Sequence, residues 1–321
     1  MSVPERKEAV TICDVTVIVP CRNGAAYLEE MFRSVASQTA QPRRRILCDD
    51  GSTDDSAVMA RQAGWEVLAT GGDEKAGEGI AAGRNMCLTV ADTEFVAFLD
   101  ADDWWAPDHL LDCVALLQSN PGAVVAFGAL RKSVEDTIHA IPSWVPRRSP
   151  FSPLPGLLAT NFVPVSAAVA RTDVVRRLEG FDGRFIGTED YGMWLRLGLE
   201  GTFVYRDALS LHYRIHAGQI SQKTQLLGES ALQLREEFLS IMRARSGAIP
   251  LDAMTIAAAE AGWQEILDSL WYHGHLTAYS AWTRRYRKVF GRLPKLSVIR
   301  YGIAGYLHMM LRRLCNRVGR K

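Results

Sequence analysis

The chain has 321 residues, 48% hydrophobic and 23% charged, with 37 basic and 36 acidic side chains for a net charge of +1. These values fit one or two globular domains with a sizeable core, and they exclude a disordered chain, a collagen-like repeat and a disulfide-stapled miniprotein. The near-neutral total conceals a split: beyond Asp268 lie 12 basic residues and no acidic one, so residues 1–268 carry 25 basic against 36 acidic side chains.

Strand and helix signals alternate from residue 15. The run VTVIVP over 15–20 is continuously apolar, as in a parallel strand buried on both faces. Apolar residues at Tyr27, Leu28, Met31, Phe32 and Val35 predict a helix over 27–38. A strand over 45–48 ends in Asp49-Asp50-Gly51-Ser52, followed by a helix over 53–62, a strand over 66–69 and a helix over 80–90. A fourth strand, 95–99, ends at Asp100. Pro142, Pro146, Pro150, Pro153 and Pro155 mark a loop that contains Arg147 and Arg148, either a binding loop or plain connection. A strand over 163–170, a helix over 188–199 and strands over 203–206 and 209–215 follow. After about residue 222 the pattern is helical, over 226–242, 253–272, 276–290 and 296–318. The alternation predicts an α/β domain over 1–222, a mostly parallel sheet flanked by helices, and an all-helical region over 223–321.

In such sheets ligands gather at the carboxyl ends of strands, where the polar clusters of this sequence fall. Leu99-Asp100-Ala101-Asp102-Asp103 puts three carboxylates on one turn, a costly arrangement unless a cation or donors compensate. Mg²⁺ or Mn²⁺ suits such oxygens; a turn before a helix capped by Asp103 or Asp108 suits them as well. In Asp49 to Ser56, Ser52 or Thr53 can cap the next helix with Asp54 and Asp55 at its positive end, which leaves Asp49 and Asp50 unexplained. The glycines of 77–83 match neither a P-loop nor a dinucleotide fingerprint, and Arg84 and Asn85 lie inside the helix that follows. Glu189 and Asp190 open another helix, as dipole-matching acids or as a general base. Strand alternation places His212, Arg214 and His216 on one face.

The ordered segments VTVIVPCRNGAAYLEEMFRSVASQT, CDDGSTDDS, GRN, FLDADDWW, GFD with EDYGMWLRL, and YRIHAGQIS together resemble the family 2 glycosyltransferases, nucleotide-sugar-dependent enzymes of the GT-A fold. The resemblance runs from about residue 15 to 221. It implies that Pro20, Arg22 and Asn23 line the base pocket, that Asp50 contacts the base, and that Arg84 and Asn85 border the ribose and phosphates. It further implies that Asp100 faces the ribose and that Asp102 holds a divalent metal, Mn²⁺ or Mg²⁺, with His216 near the metal or diphosphate. Asp190 matches the catalytic base, and Glu189 beside it joins the donor-binding set. The implied reaction is an inverting, metal-dependent transfer from a nucleotide sugar, a UDP-sugar first, to a hydroxyl of a glycan or lipid-linked acceptor in surface polysaccharide or glycolipid synthesis. Cys21 and Arg22 stand where a small residue and an aromatic are commoner, so Arg22 could alter base or sugar preference.

The basic tail lies outside the resemblance. Over 296–318, Ile299, Ile303, Leu307 and Leu311 alternate with Arg300, Arg312, Arg313 and Arg317, a basic amphipathic pattern. Such a helix can lie on an anionic membrane, or pack on the catalytic domain or a second copy in a homo-oligomer. No stretch reaches the roughly 18 apolar residues of a spanning helix, and the scattered cysteines form no C-x-x-C pair. Together these features suggest a cytoplasmic protein, peripheral at the inner face of the membrane at most. Two other readings compete. A nucleotidyltransferase making nucleotide sugars wants a glycine-rich basic loop where CRNGAAY stands. A nucleic-acid binder using the tail would leave six ordered motifs idle, so nucleic acid is not an expected partner.

Overall fold

The computed structural model describes residues 11–71, 77–134, 138–139, 150–244, 253–273 and 275–294. The helix expected over 296–318, Arg147, Arg148 and most of the proline-rich loop lie outside them. The chain divides into two units: Met1–Pro153, Phe162–Gly183 and Gly192–His216 form the first, and Leu154–Asn161, Arg184–Tyr191 and Ala217–Lys321 the second.

Among the described residues of the first unit, nine strands form one sheet: β1 (Thr11–Cys21), β2 (Ala40–Asp49), β3 (Glu66–Ala69), β4 (Phe95–Phe98), β5 (Trp104–Trp105), β6 (Ala123–Lys132), β7 (Ile138–His139), β8 (Ala168–Arg171) and β9 (Thr202–Tyr213). Their order is β3-β2-β1-β4-β8-β6-β9-β5, with β7 paired to β6. The first four strands are mutually parallel. β8 then enters antiparallel between β4 and β6, and β6 runs parallel to β9. The buried stretches of the central strands are apolar, Thr16 excepted, because both faces are covered. On one face, Leu28, Met31 and Val35 of α1 (Ala25–Ala36) and Leu110, Cys113 and Leu117 of α4 (His109–Ser119) join Val15, Val17 and Val19 in one core. On the other, α3 (Ile80–Val90) brings Gly83 against Pro20 and Cys48, while Phe98 meets Phe181 and Trp194 edge to face. Burying each such side chain stabilises the fold by roughly 1.5–3 kcal/mol.

Among the elements that differ from the sequence reading, three have a clear local reason. α2 (Ser56–Gln62) starts later than residue 53 because Asp54 caps another helix: it accepts the Ala25 N–H at 3.0 Å and also the Ser56 N–H at 3.0 Å. The strand expected over 163–170 begins only at Ala168, since a 3-10 turn, Val165–Ala167, follows Pro164, and α6 (Thr172–Arg177) succeeds the strand. The two strands over 203–215 are one strand, β9, whose register against β6 slips between Gly128 and Leu130, near the polar Arg206-Asp207 interruption.

The second unit is helical: α5 (Leu154–Ala159), the start of α7 (Glu189–Glu200), α8 (Thr224–Ala244), α9 (Ala253–Tyr272) and α10 (Leu276–Phe290). Trp263 centres it, edge-on to Trp282, Tyr286 and Phe290. Buried Arg235 donates to the Tyr191 hydroxyl at 2.7 Å and to the carbonyls of Gly262 and Ala159 at 2.8 and 2.9 Å. None of the described helices is long and apolar enough to cross a membrane.

Candidate active site

Parallel register sets the edge on which the site forms. Cys21 lies opposite Asp49, so β1 and β2 end together, and Ile18 lies opposite Phe98, so β4 ends three residues earlier and gives way to the Asp100 to Asp103 turn. Asp50 follows β2 and is 5% exposed. It accepts Thr70 Oγ1 at 2.5 Å, the Glu78 N–H at 2.7 Å and the Gly79 N–H at 2.8 Å. Burial alone would raise its pKa; these donors and the nearby Arg22 charge outweigh burial and hold the carboxyl below its ordinary value. Asp50 therefore pins the 77–79 loop to the strand end. Gly77 is required there, at φ +60, because a Cβ would stand 2.4 Å from Asp50 Oδ2 and 2.8 Å from Arg22 Nη1.

Asn23 takes a left-handed conformation, φ 52, that asparagine tolerates. Its Oδ1 accepts the Thr53 N–H at 2.8 Å, and its own N–H donates to Ser52 Oγ at 2.9 Å. Gly24 N–H donates to Ser56 Oγ at 2.9 Å. The polar loop after β2 thus caps α1 from a distance. Asn85 is similarly engaged: Nδ2 donates to the Phe181 carbonyl at 2.8 Å and Oδ1 accepts the Phe181 N–H at 2.7 Å.

Asp100, Asp102 and Asp103 have three distinct surroundings. Arg84, 1% exposed, donates Nη2 to Asp100 Oδ1 at 2.7 Å and lies over the Phe181 ring. The Asp100 N–H donates to Ser166 Oγ at 3.1 Å, which is the use made of the 3-10 turn. Asp103 is buried and accepts the Arg214 N–H at 3.0 Å. Burial pushes its carboxyl well above the ordinary range, and the charges of Asp102 and Asp100 add to that push. Asp102 is partly exposed, with Oδ2 2.8 Å from His216 Nε2. Arg214 locks the corner: Nε donates to the Asp102 carbonyl at 2.8 Å, Nη2 pairs with Glu30, and the guanidinium lies over Trp104 and Tyr27. His212 stacks flat on Trp104, and the His216 ring meets Tyr27. Strand alternation marks Arg214, with His212 and His216, as part of a polar face that points to a site, but it does not show that Arg214 holds the corner. The sequence carried no signal for Glu30 or Tyr27, whose contacts arise only from tertiary packing.

Glu189 and Asp190 begin α7 in the second unit, Glu189 buried and Asp190 half-buried. Asp190 accepts Asn161 Nδ2 at 3.2 Å through Oδ2 and the Tyr191 N–H at 2.6 Å through Oδ1. Asn161 is an orienting partner that the sequence pattern did not mark.

The donor set at Asp102 and His216 fits a divalent cation: one carboxylate and one imidazole converge from opposite parts of the chain. Mg²⁺ and Mn²⁺ commonly take one or two protein ligands beside substrate phosphates and water. Among the described residues no group of three or more His, Cys, Asp and Glu side chains is arranged as a complete protein cage.

Comparison with known proteins bears on the family and the fold. The profile of glycosyl transferase family 2 matches residues 16–175. The chain is 24% identical over 217 residues to the UDP-Glc:alpha-D-GlcNAc-diphosphoundecaprenol beta-1,3-glucosyltransferase WfaP of Escherichia coli, covering 64% of this chain and 79% of that one. It is 32% identical over 193 residues to the putative glycosyltransferase EpsE of Bacillus subtilis, covering 58% of this chain and 67% of that one. It spans less than half the length of some other relatives, 44% in the mycobacterial case. Among solved structures, the mannosyltransferase PcManGT from Pyrobaculum calidifontis, in complex with GDP-Man and Mn²⁺, shares the fold at a TM-score of 0.59 and 19% identity, over 92% of this chain and 80% of that one. With the α/β sheet, the ordered strand-end motifs and these relatives in agreement, the chain belongs to glycosyltransferase family 2 and is a glycosyltransferase of the GT-A type.

Proposed function

We propose that the enzyme moves a sugar from a nucleoside-diphosphate donor to a hydroxyl of a glycan or lipid-linked acceptor, with inversion, in polysaccharide or glycolipid synthesis. The observation that carries this reading is the pairing of Asp102 with His216 at the strand-end edge that also holds Asp50, Asp100 and Arg84. In this reading Pro20, Arg22 and Asp50 border the base. Asp100, held by Arg84, accepts a ribose hydroxyl. Asn23 and Asn85 shape the walls through the backbone they hold. Asp102 and His216 would hold Mn²⁺ or Mg²⁺, which when bound offsets the charge gathering on the departing diphosphate. Asp190 accepts the proton of the acceptor hydroxyl as that oxygen attacks the anomeric carbon, with Asn161 and the Tyr191 N–H orienting its carboxylate and Glu189 beside it. General-base assistance of this kind is worth roughly 10²–10⁴-fold. Displacement in one step inverts the anomeric centre.

A UDP-sugar is the first donor to test, on the precedent of the E. coli relative's name; the GDP-mannose in the archaeal neighbour makes GDP-sugars the second. A thermal-shift panel of nucleotide sugars with and without Mn²⁺ tests the reading. Stabilisation by one donor class that grows with Mn²⁺ is expected. A panel with no stabilising donor would sink the proposal.

A further inference from the structure

The second unit carries a cleft that the donor site does not use. Its volume is about 670 Å³, within the range of ligand pockets. Its walls come from the segment 184–191, α8 and α10. The same segment ends in Asp190. Thr188 Oγ1 and Ser230 Oγ, a cleft residue, are 2.6 Å apart. Gly187 lies between, at φ +73, where a Cβ would stand 2.5 Å from Leu227 Cδ2 of α8. The turn leading to Asp190 is therefore pressed directly onto a cleft wall.

The lining has a definite chemistry. Arg184 and Lys223 supply two cations against one acid, Glu229, which already accepts Gln225 Nε2 at 2.7 Å. Arg184 meets Glu237 at 3.4 Å, but both side chains are solvent-exposed, and a pair of that kind is easily exchanged for a better anion. Gln225, Gln233 and Ser230 add planar amides and a hydroxyl, groups suited to sugar hydroxyls, which in the free cleft bond Glu229, Glu237 and Thr188 respectively. Trp282 adds a rigid aromatic edge, held by Arg285 over its ring at 4.4 Å.

We propose that this cleft binds the acceptor, and that the acceptor is a saccharide carrying a phosphate or diphosphate. The anionic group sits at Arg184 and Lys223, where charge-assisted hydrogen bonds to phosphate oxygens are strongest. The sugar lies along the amides and Trp282. The assignment deepens the proposed function and rests on Asp190 as the base.

Titration of the full chain with glucose 1-phosphate, followed by calorimetry and saturation-transfer NMR, tests the cleft. Glucose and inorganic pyrophosphate serve as controls, and an Arg184→Gln/Lys223→Gln double variant removes the cations at exposed positions. Glucose 1-phosphate is expected to bind at least about tenfold more tightly than either control, and the double variant to lose about tenfold. Binding of UDP-glucose with Mn²⁺ should stay unchanged in that variant. Glucose binding as well as its phosphate overturns the anion site; pyrophosphate binding as well as the sugar phosphate overturns the saccharide site. Wild-type chain that ignores glucose 1-phosphate, or a double variant that binds it normally, overturns the proposal as a whole. The two readings separate cleanly: failure of the wild-type chain to bind any nucleotide sugar counts against the donor site. Normal donor binding with unaltered glucose 1-phosphate binding in the double variant counts against the cleft alone.

Discussion

His216 Nε2 lies 2.8 Å from Asp102 Oδ2 although the two residues are 114 positions apart. The short β5 strand, paired antiparallel to the end of β9 with Trp104 opposite His212, brings them together. Arg214 fixes the junction by bonding the Asp102 carbonyl while lying over Trp104 and Tyr27. On the proposed function, a carboxylate and an imidazole held by a common rigid frame would bind a cation with little further loss of side-chain freedom.

From that frame, Asp102→Asn and His216→Gln should each weaken Mn²⁺-dependent donor binding by about 10–100-fold, the range typical of changes in and around metal ligands. Donor titrations at a series of Mn²⁺ concentrations measure it. An unchanged metal dependence in both variants removes the pair from that role.

Asp190→Asn should bind the donor normally and lose transfer by about 10²–10⁴-fold, since the amide keeps the shape but accepts no proton. Asn161→Ala should cost less, because the Tyr191 N–H still holds the other oxygen of Asp190. Single-turnover rates beside donor affinity distinguish the two effects. Normal turnover by the Asn variant would assign the base elsewhere.

Gly77→Ala should act on the donor site through Asp50. The positive φ strains any other residue by about 1–3 kcal/mol, and the added Cβ would meet Asp50 Oδ2 at 2.4 Å. The 77–79 loop would have to leave the carboxylate it donates to. A lower melting temperature together with a raised donor KM and little change in kcat is expected. A variant with wild-type melting and KM would show that the loop does not border the donor.

The parallel half of the sheet was legible because strands buried on both faces are written as continuous apolar runs, as in β1. The helices α3, α9 and α10 were legible to the residue from their periodicity. β6 is not legible in the same way: its run AVVAFGALRK is as apolar as β1, but a short apolar run does not by periodicity alone distinguish a buried strand from a buried helix segment. At the site, the motifs marked positions better than roles. Asn23 and Asn85 stand where expected, yet both amides are engaged with backbone of Thr53 and Phe181. Of the two candidate caps for the next helix, Asp108 stands at the N-cap of α4, whereas Asp103 is buried and accepts the Arg214 N–H. Partners set by tertiary contact leave no mark at a fixed spacing.

His109 should set an acid limit on stability. Its ring is fully buried in the α4 core, 4.6 Å from the Trp105 ring, with Cys113 Sγ 3.7 Å from Nδ1. Burial, and after it the Arg206 charge, lowers its pKa from 6.5 to about 3. The unfolded chain takes up the proton below about pH 6.5, whereas the folded chain refuses it until about pH 3, so stability is complete above 6.5 and falls as pH drops through that window. The loss approaches about 1.4 kcal/mol per pH unit for one proton. Asp103, with its raised pKa, contributes in the opposite direction over part of the same range. The comparison is therefore between the wild type and His109→Leu, in which the Asp103 contribution is common to both. Urea unfolding at pH 7, 6, 5 and 4.5 should show the variant losing stability less steeply, by a slope equivalent to nearly one proton. Parallel stability curves for the two proteins would mean that the imidazole is protonated in the fold after all.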